Sequence, residues 1–170
     1  MKFDFLKYCK LCQASCCKVP YKAYVSKIER NEIIEYLNQH ELNFKDENIF
    51  EIHKFPEFVD EIFYTIHKKK DGNCIFLSED EKCVINEVKP LDCKIFPFSF
   101  DYFLDTNNFV FYIGNCNAVK EMEYTGLLKE YIKESQKIMK KFIRKFKNTE
   151  LSAFSRIMSV PELKEISEID

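Results

Sequence analysis

Apolar residues recur at helical spacing in two parts of the chain. The first stripe, Ile28, Ile33, Ile34 and Leu37, follows Ser26-Lys-Ile-Glu29, which is a capping-box pattern. It predicts a helix over about 27–39. The second stripe is formed by Leu128, Tyr131, Ser135, Ile138, Phe142 and Phe146. It predicts a long helix from about 119 to 147. A shorter helix is expected after it, over roughly 150–158.

β-rich segments alternate with turn residues between positions 61 and 113. Residues 62–66 read as a strand, and Lys70-Asp71-Gly72-Asn73 as a turn. Residues 74–77 and 82–85 are predicted to form a hairpin around Glu79-Asp80-Glu81. A further hairpin is predicted from 96–104 and 109–113, after a helical turn at 88–94 that Pro90 would start. Residues 41–60 predict no clear element, because Pro56 interrupts them.

Composition points to a globular chain. Hydrophobic residues make up 46% of the 170 residues and aromatic residues 15%, which argues against disorder. The formal net charge of −2 creates no field that would attract nucleic acid or membranes. Asp4 and Lys7 interrupt the apolar segment that a signal peptide would need, and no apolar run is long enough to span a membrane. We therefore expect a cytoplasmic protein.

One segment is locally basic. Six basic residues and no acidic residue occur from Lys137 to Lys147. We interpret them first as the solvated face of a helix whose last turns carry cations. The alternative is a surface for an acidic protein partner, or less favourably for RNA.

The strongest chemical signal is the cysteine content. Four of the eight cysteines stand in Cys9-Lys-Leu-Cys12-Gln-Ala-Ser-Cys16-Cys17, and the others are Cys74, Cys83, Cys93 and Cys116. Thiolates suit zinc or an iron–sulfur cluster, and two residues between cysteines let both sulfurs reach one metal. In a reducing cytoplasm, clustered cysteines more often hold metal than form disulfides.

The spacing suggests two sites of four sulfurs. The side chains of adjacent Cys16 and Cys17 are expected to point to different sides, so each would serve a different site. Cys116 is the position most compatible with an ordinary buried thiol. Sequence does not determine which sulfurs share a metal.

An enzymatic role stays open. Only three glycines occur, which excludes the common glycine-rich nucleotide-binding loops. His40, His53 and His67 lack metal-ligand spacing and are interpreted as structural or surface residues. Asp92, beside Cys93, is interpreted as a surface carboxylate.

The order of motifs resembles the YkgJ-like zinc- or iron-chelating cysteine-cluster family. The resemblance rests on Cys9-x-x-Cys12-x-x-x-Cys16-Cys17, on Cys74-Ile-Phe-Leu77, and on Lys89-Pro90-x-x-Cys93-Lys94-x-Phe96-Pro97-Phe98. It implies zinc or iron–sulfur binding through the eight cysteines, in a family that also includes the cluster domain of flagellin lysine methylases. Lys89 and Lys94 depart from the arginines that are usual in the family.

Three functional hypotheses follow. The first is a metal-binding protein with structural or storage sites. The second is an iron–sulfur protein that transfers electrons or supports a lysine methylase-like modification, and the third is a thiol–disulfide protein using Cys9 and Cys12. The predicted class is α+β, with a small strand and hairpin region that carries metal-ligating loops and is backed by helices. We expect a single domain over 1–170, with a cysteine-cluster core at 1–118 and a helical part at 119–160.

Overall fold

The computed structural model describes residues 14–18, 22–45, 48–114, 116–144, 146–157 and 164–165. These residues form a mixed α+β fold with six helices and two small antiparallel sheets, which confirms the predicted class. The chain divides into two compact units. The cysteine-rich unit contains Ala14–Lys94, and the C-terminal unit contains the described residues from Ile95 onward.

The cysteine-rich unit contains a three-stranded sheet in the order β1-β3-β2. The central strand, β3, pairs antiparallel with both neighbours. Its residue Thr65 lies opposite Tyr24 of β1 on one side and opposite Glu51 of β2 on the other. The helices and strands met first along the chain are α1 (Ser15–Lys18), β1 (Tyr24–Val25), α2 (Lys27–Gln39), β2 (Phe50–His53), β3 (Phe63–Ile66) and α3 (Leu91–Ile95).

Helix α2 has the predicted bounds, and its capping box is formed. The Ser26 hydroxyl accepts the Glu29 backbone N–H, and the Glu29 carboxylate accepts the Ser26 N–H. Ile33 and Leu37 are buried on the helix face that packs into the core. That core also contains the side chains of Ala23, Val25, Ile49, Phe50, Ile66, Phe76 and Ile85.

Two predictions in this unit are wrong. Strand β2 lies in the 41–60 region for which sequence predicted no clear element. Residues 74–77 and 82–85 form turns joined by a single antiparallel bridge, Leu77 to Cys83, rather than a hairpin of two strands. The pairing stops there because both segments turn: the Leu77 N–H donates to the Cys74 carbonyl, and the Asn86 N–H donates to the Cys83 carbonyl.

The C-terminal unit contains the predicted hairpin, β4 (Phe98–Phe103) and β5 (Asn108–Ile113), with β6 (Lys164–Glu165) on the far side of β5. Alternate β4 residues face the core, and the Phe100 ring stacks on Phe154 with a centroid distance of 4.2 Å. The helices of this unit are α4 (Asn117–Tyr124), α5 (Leu128–Ile143) and α6 (Asn148–Ile157).

The predicted long helix over 119–147 is broken into α4 and α5. Gly126 has a φ of +72°, in the left-handed region that glycine adopts without a side-chain penalty. The Gly126 N–H donates to Glu123 and the Leu127 N–H to Met122, which is a Schellman ending. This glycine therefore ends α4 and lets α5 start in a new direction.

Helix α6 also provides a hydrogen-bond acceptor for a backbone N–H group at the edge of β4. The Tyr102 backbone N–H donates to Ser155 Oγ at 2.6 Å, and Ser155 donates to the Leu151 carbonyl.

We expect Ser155→Ala to lower the free energy of unfolding by about 1 kcal/mol, because the Tyr102 N–H loses its acceptor. Urea denaturation measures this, with Ser152→Ala on the same helix as control. An unchanged midpoint would contradict it.

Among the described residues, no helix has the length and apolar character needed to cross a membrane. The predicted basic segment does not form one continuous helix, since α5 ends at Ile143. Lys137 pairs with Glu134 on the same helix, with Nζ 2.8 Å from Oε1. A protein partner for this segment stays a prediction.

Candidate metal centre

Six of the eight predicted ligand cysteines are described, and they form no disulfide: Cys16, Cys17, Cys74, Cys83, Cys93 and Cys116. Each of them is partly buried. Cys9 and Cys12 lie outside the described residues. The described cysteines up to Cys93 belong to the cysteine-rich unit, whereas Cys116 belongs to the C-terminal unit.

A tight turn over Lys69–Asn73 positions Cys74. The Lys69 N–H donates to the Asn73 carbonyl at 2.7 Å, and Gly72 adopts a φ of +84°. The Asp71 carboxylate accepts the Asn73 N–H at 3.0 Å, as in an Asx turn. The chain therefore reverses, and Cys74 lies in an antiparallel bridge with Lys68.

A second turn, Ser78–Lys82, positions Cys83. The Ser78 N–H donates to the Lys82 carbonyl, and the Lys82 N–H donates to the Ser78 hydroxyl. Between them, Glu81 adopts a φ of +59°. Cys83 consequently lies in an antiparallel backbone bridge with Leu77. Cys74 and Cys83 both pack against the apolar core.

Helix α1 brings Cys17 to the first of these turns. The Cys74 N–H donates to the Cys17 carbonyl oxygen at 2.7 Å. Lys18, the next residue, forms an ion pair with Glu81 in the second turn. These two contacts join the N-terminal cysteine motif to both turns.

Helix α3 supplies Cys93, and the carboxylates of the half-buried Glu29 and the buried Asp92 hold the start of that helix. Glu29 accepts the Leu91 N–H through Oε1 at 2.6 Å while its other oxygen caps α2. Asp92 accepts the Tyr24 N–H at 2.9 Å and is only 2% exposed. The interpretation of Asp92 as a surface carboxylate was therefore wrong, because a long-range hydrogen bond to β1 buries it.

The thiols of Cys17, Cys74, Cys83 and Cys93, here called the four-thiol set, lie near one another. Hydrogen bonding to Cys17 and burial raise the pKa of Cys74. Hydrogen bonding to Cys16 and burial raise the pKa of Cys17 to about 12, although its hydrogen bond with Cys74 acts in the opposite direction.

The other two members interact with the whole set. Burial, followed by the field of Cys74, raises the pKa of Cys83. Burial raises the pKa of Cys93 well above its usual value, and the Asp92, Cys74, Cys83 and Cys17 charges act in the same direction. Every pair among the four sulfurs is thus close enough for one charge to affect the other thiol.

Two cations act against this mutual repulsion. The charge of Lys68 lowers the pKa of Cys74, and that of Lys89 lowers the pKa of Cys83. Both effects are smaller than the burial effect, so the thiol form is favoured without a metal. Ligation would displace the thiol protons.

The remaining described cysteines are placed differently. Cys16 contacts the set through its hydrogen bond with Cys17, so the two adjacent side chains are in contact rather than fully separated. Cys116 is the N-cap residue of α4, where its side chain makes no capping hydrogen bond.

The donor chemistry of the four-thiol set suits zinc or an iron–sulfur cluster, since both accept four sulfur ligands. In the described part of the chain, no group of three or more His, Cys, Asp or Glu side chains is arranged so that it could hold a metal ion. The sulfurs would therefore have to draw closer together on ligation.

The described histidines have structural partners. His40 stacks on Tyr36 at 4.0 Å, and His53 Nε2 lies 2.9 Å from Thr65 Oγ1. Burial lowers the pKa of His53. These contacts agree with the interpretation of both residues as structural. Sequence reasoning identified Glu29 only as part of a capping box, and it missed the hydrogen bonds of Glu29 with Leu91 and of Asp92 with Tyr24.

Comparison with known proteins identifies the family. No curated protein and no solved structure gives a significant match to the chain. The sequence model of the CxxCxxCC family, described as "putative zinc- or iron-chelating domain", matches residues 8–126. That range includes all eight cysteines and most of the chain. The protein therefore belongs to the CxxCxxCC family.

Proposed function

We propose that this protein binds zinc or an iron–sulfur cluster through its eight cysteines, and that the four-thiol set forms one site. The observation that carries the proposal is the convergence of Cys17, Cys74, Cys83 and Cys93. They come from α1, two turns and α3, and the charges of Cys17, Cys74 and Cys83 all raise the pKa of Cys93. A bound cation would offset that repulsion and hold the segments together.

The remaining cysteines, Cys9, Cys12, Cys16 and Cys116, would form a second set. This assignment rests on the count of eight cysteines and on the four sulfurs that each zinc site or cluster requires. A zinc ion with four sulfur ligands would have a structural or storage role, because no position is left open for a substrate. A cluster with four sulfur ligands would instead serve electron transfer.

A reducing compartment is part of the proposal. It rests on the eight cysteines of the sequence, which we propose to be metal ligands and not disulfide partners. Clustered thiols persist in the cytoplasm, where glutathione and thioredoxin keep them reduced. We therefore place the protein in the cytoplasm.

Metal analysis of protein purified without oxygen tests the proposal and separates the two kinds of site. Zinc sites predict a colourless protein with about two zinc ions per chain, since each takes four sulfurs. Clusters predict a coloured protein that contains iron and acid-labile sulfide. Protein that contains neither metal, and that takes up neither zinc nor iron with sulfide on reconstitution, would overturn it.

A further inference from the structure

Lys68 is placed beside two members of the four-thiol set. Its Nζ donates to the Cys17 carbonyl oxygen at 3.2 Å, and its backbone forms the antiparallel bridge with Cys74. The side chain is half-buried. One residue thus contacts α1 through its ammonium group and the first turn through its main chain.

The nearby lysines have other fixed partners. Lys69 donates to the Leu77 carbonyl at 2.6 Å, and Lys18 pairs with Glu81. Lys70, two residues after Lys68, is exposed. Lys68 is therefore distinguished from its neighbours by a hydrogen bond to the backbone of a four-thiol cysteine.

The charge balance of a loaded site makes such a cation useful. A divalent ion with four thiolates carries two net negative charges, and the buried Asp92 beside Cys93 adds another negative group. A positive charge within a few ångströms, partly shielded from water, lowers the electrostatic free energy of that assembly. The Lys68 ammonium lies on the Cys17 and Cys74 side of the set, where it meets this requirement.

We propose that Lys68 is a positioning residue that holds Cys17 beside Cys74 and supplies positive charge to offset the charge of the metal-bound thiolates. This inference rests on the proposed function. It extends that function to the outer contacts of the site, which typically alter metal affinity when they are changed.

The test compares Lys68→Gln with Lys68→Arg. Glutamine keeps a hydrogen-bond donor but removes the charge, whereas arginine keeps the charge. Lys70→Gln is the matched control, since it removes the same charge from an exposed position of the same turn. Zinc affinity is measured by competition with a chromophoric chelator at low and high salt, and urea denaturation is measured on each metal-free variant.

We expect Lys68→Gln to weaken zinc binding by about 10-fold, and Lys68→Arg and Lys70→Gln to stay within about threefold of the unsubstituted protein. The 10-fold difference should shrink at high salt, because salt screens the lost interaction. The metal-free stability of Lys68→Gln should match that of Lys68→Arg.

Two results would overturn the inference alone. One is Lys68→Gln protein that binds zinc as tightly as the unsubstituted chain. The other is equal weakening by glutamine and arginine, which would show that charge is not the relevant property. Failure of the unsubstituted protein to bind either zinc or an iron–sulfur cluster would overturn the proposed function and this inference together.

Discussion

Replacing Cys83 by serine is expected to abolish metal retention at the four-thiol set and to destabilise the cysteine-rich unit. Serine removes a soft thiolate donor, and three sulfurs bind zinc or a cluster far more weakly than four. The loss in affinity should exceed the roughly 10–100-fold effect of changing an outer contact. Because structural zinc contributes about 10–16 kcal/mol to folding in small peptides, the unfolding midpoint of the loaded protein should fall clearly.

The measurement is metal content per chain, together with urea denaturation of metal-loaded protein. Asn86→Ser is the control, because Asn86 is an exposed residue in the turn that follows Cys83. Cys12→Ser is the companion variant for the second set and should remove the other half of the metal. Unchanged metal stoichiometry in both cysteine variants would contradict the assignment of these residues as ligands.

Replacing Glu29 by alanine is expected to lower the free energy of unfolding by about 2–4 kcal/mol. The carboxylate accepts the N–H groups of Ser26 and Leu91, both of which belong to buried residues. Each buried N–H left without an acceptor costs about 1–3 kcal/mol. The effect is measured by urea denaturation of metal-free protein, so that it is separated from ligation.

Glu32→Ala is the control for this variant, since Glu32 is an exposed glutamate on the same helix. Glu29→Gln should fall between the unsubstituted protein and Glu29→Ala. Glutamine keeps one oxygen acceptor, but its amide nitrogen cannot accept the second N–H. Equal stability of Glu29→Ala and Glu32→Ala would show that the link between α2 and α3 contributes little.

Local patterns predicted the elements whose stabilising contacts lie close in sequence. The Ser26 and Glu29 capping box predicted α2 within its observed bounds, and the extended segments 96–104 and 109–113 predicted the β4–β5 hairpin. The same reasoning failed where one local preference opposed another. The apolar stripe suggested one helix over 119–147, but the backbone freedom of Gly126 ended α4 there.

Long-range contacts explain the other differences. β2 was not predicted because Pro56 obscured a short strand that is stabilised by pairing with β3. Asp92 appeared to be an ordinary surface carboxylate because its partner, the Tyr24 N–H, lies on β1. Neither contact leaves a periodic signal near the residue itself.

For this chain, the sequence alone determined the number and order of the eight cysteines, and the soft thiolate that each can form predicts zinc or an iron–sulfur cluster as its ligand. It also indicated the family through the order of the cysteine motifs. Only the tertiary structure decided that Cys17, Cys74, Cys83 and Cys93 come together and that Lys68 lies beside them. The physical reason is that this grouping depends on how α1, the two turns and α3 pack on a shared core, and residue spacing along the chain does not encode that packing.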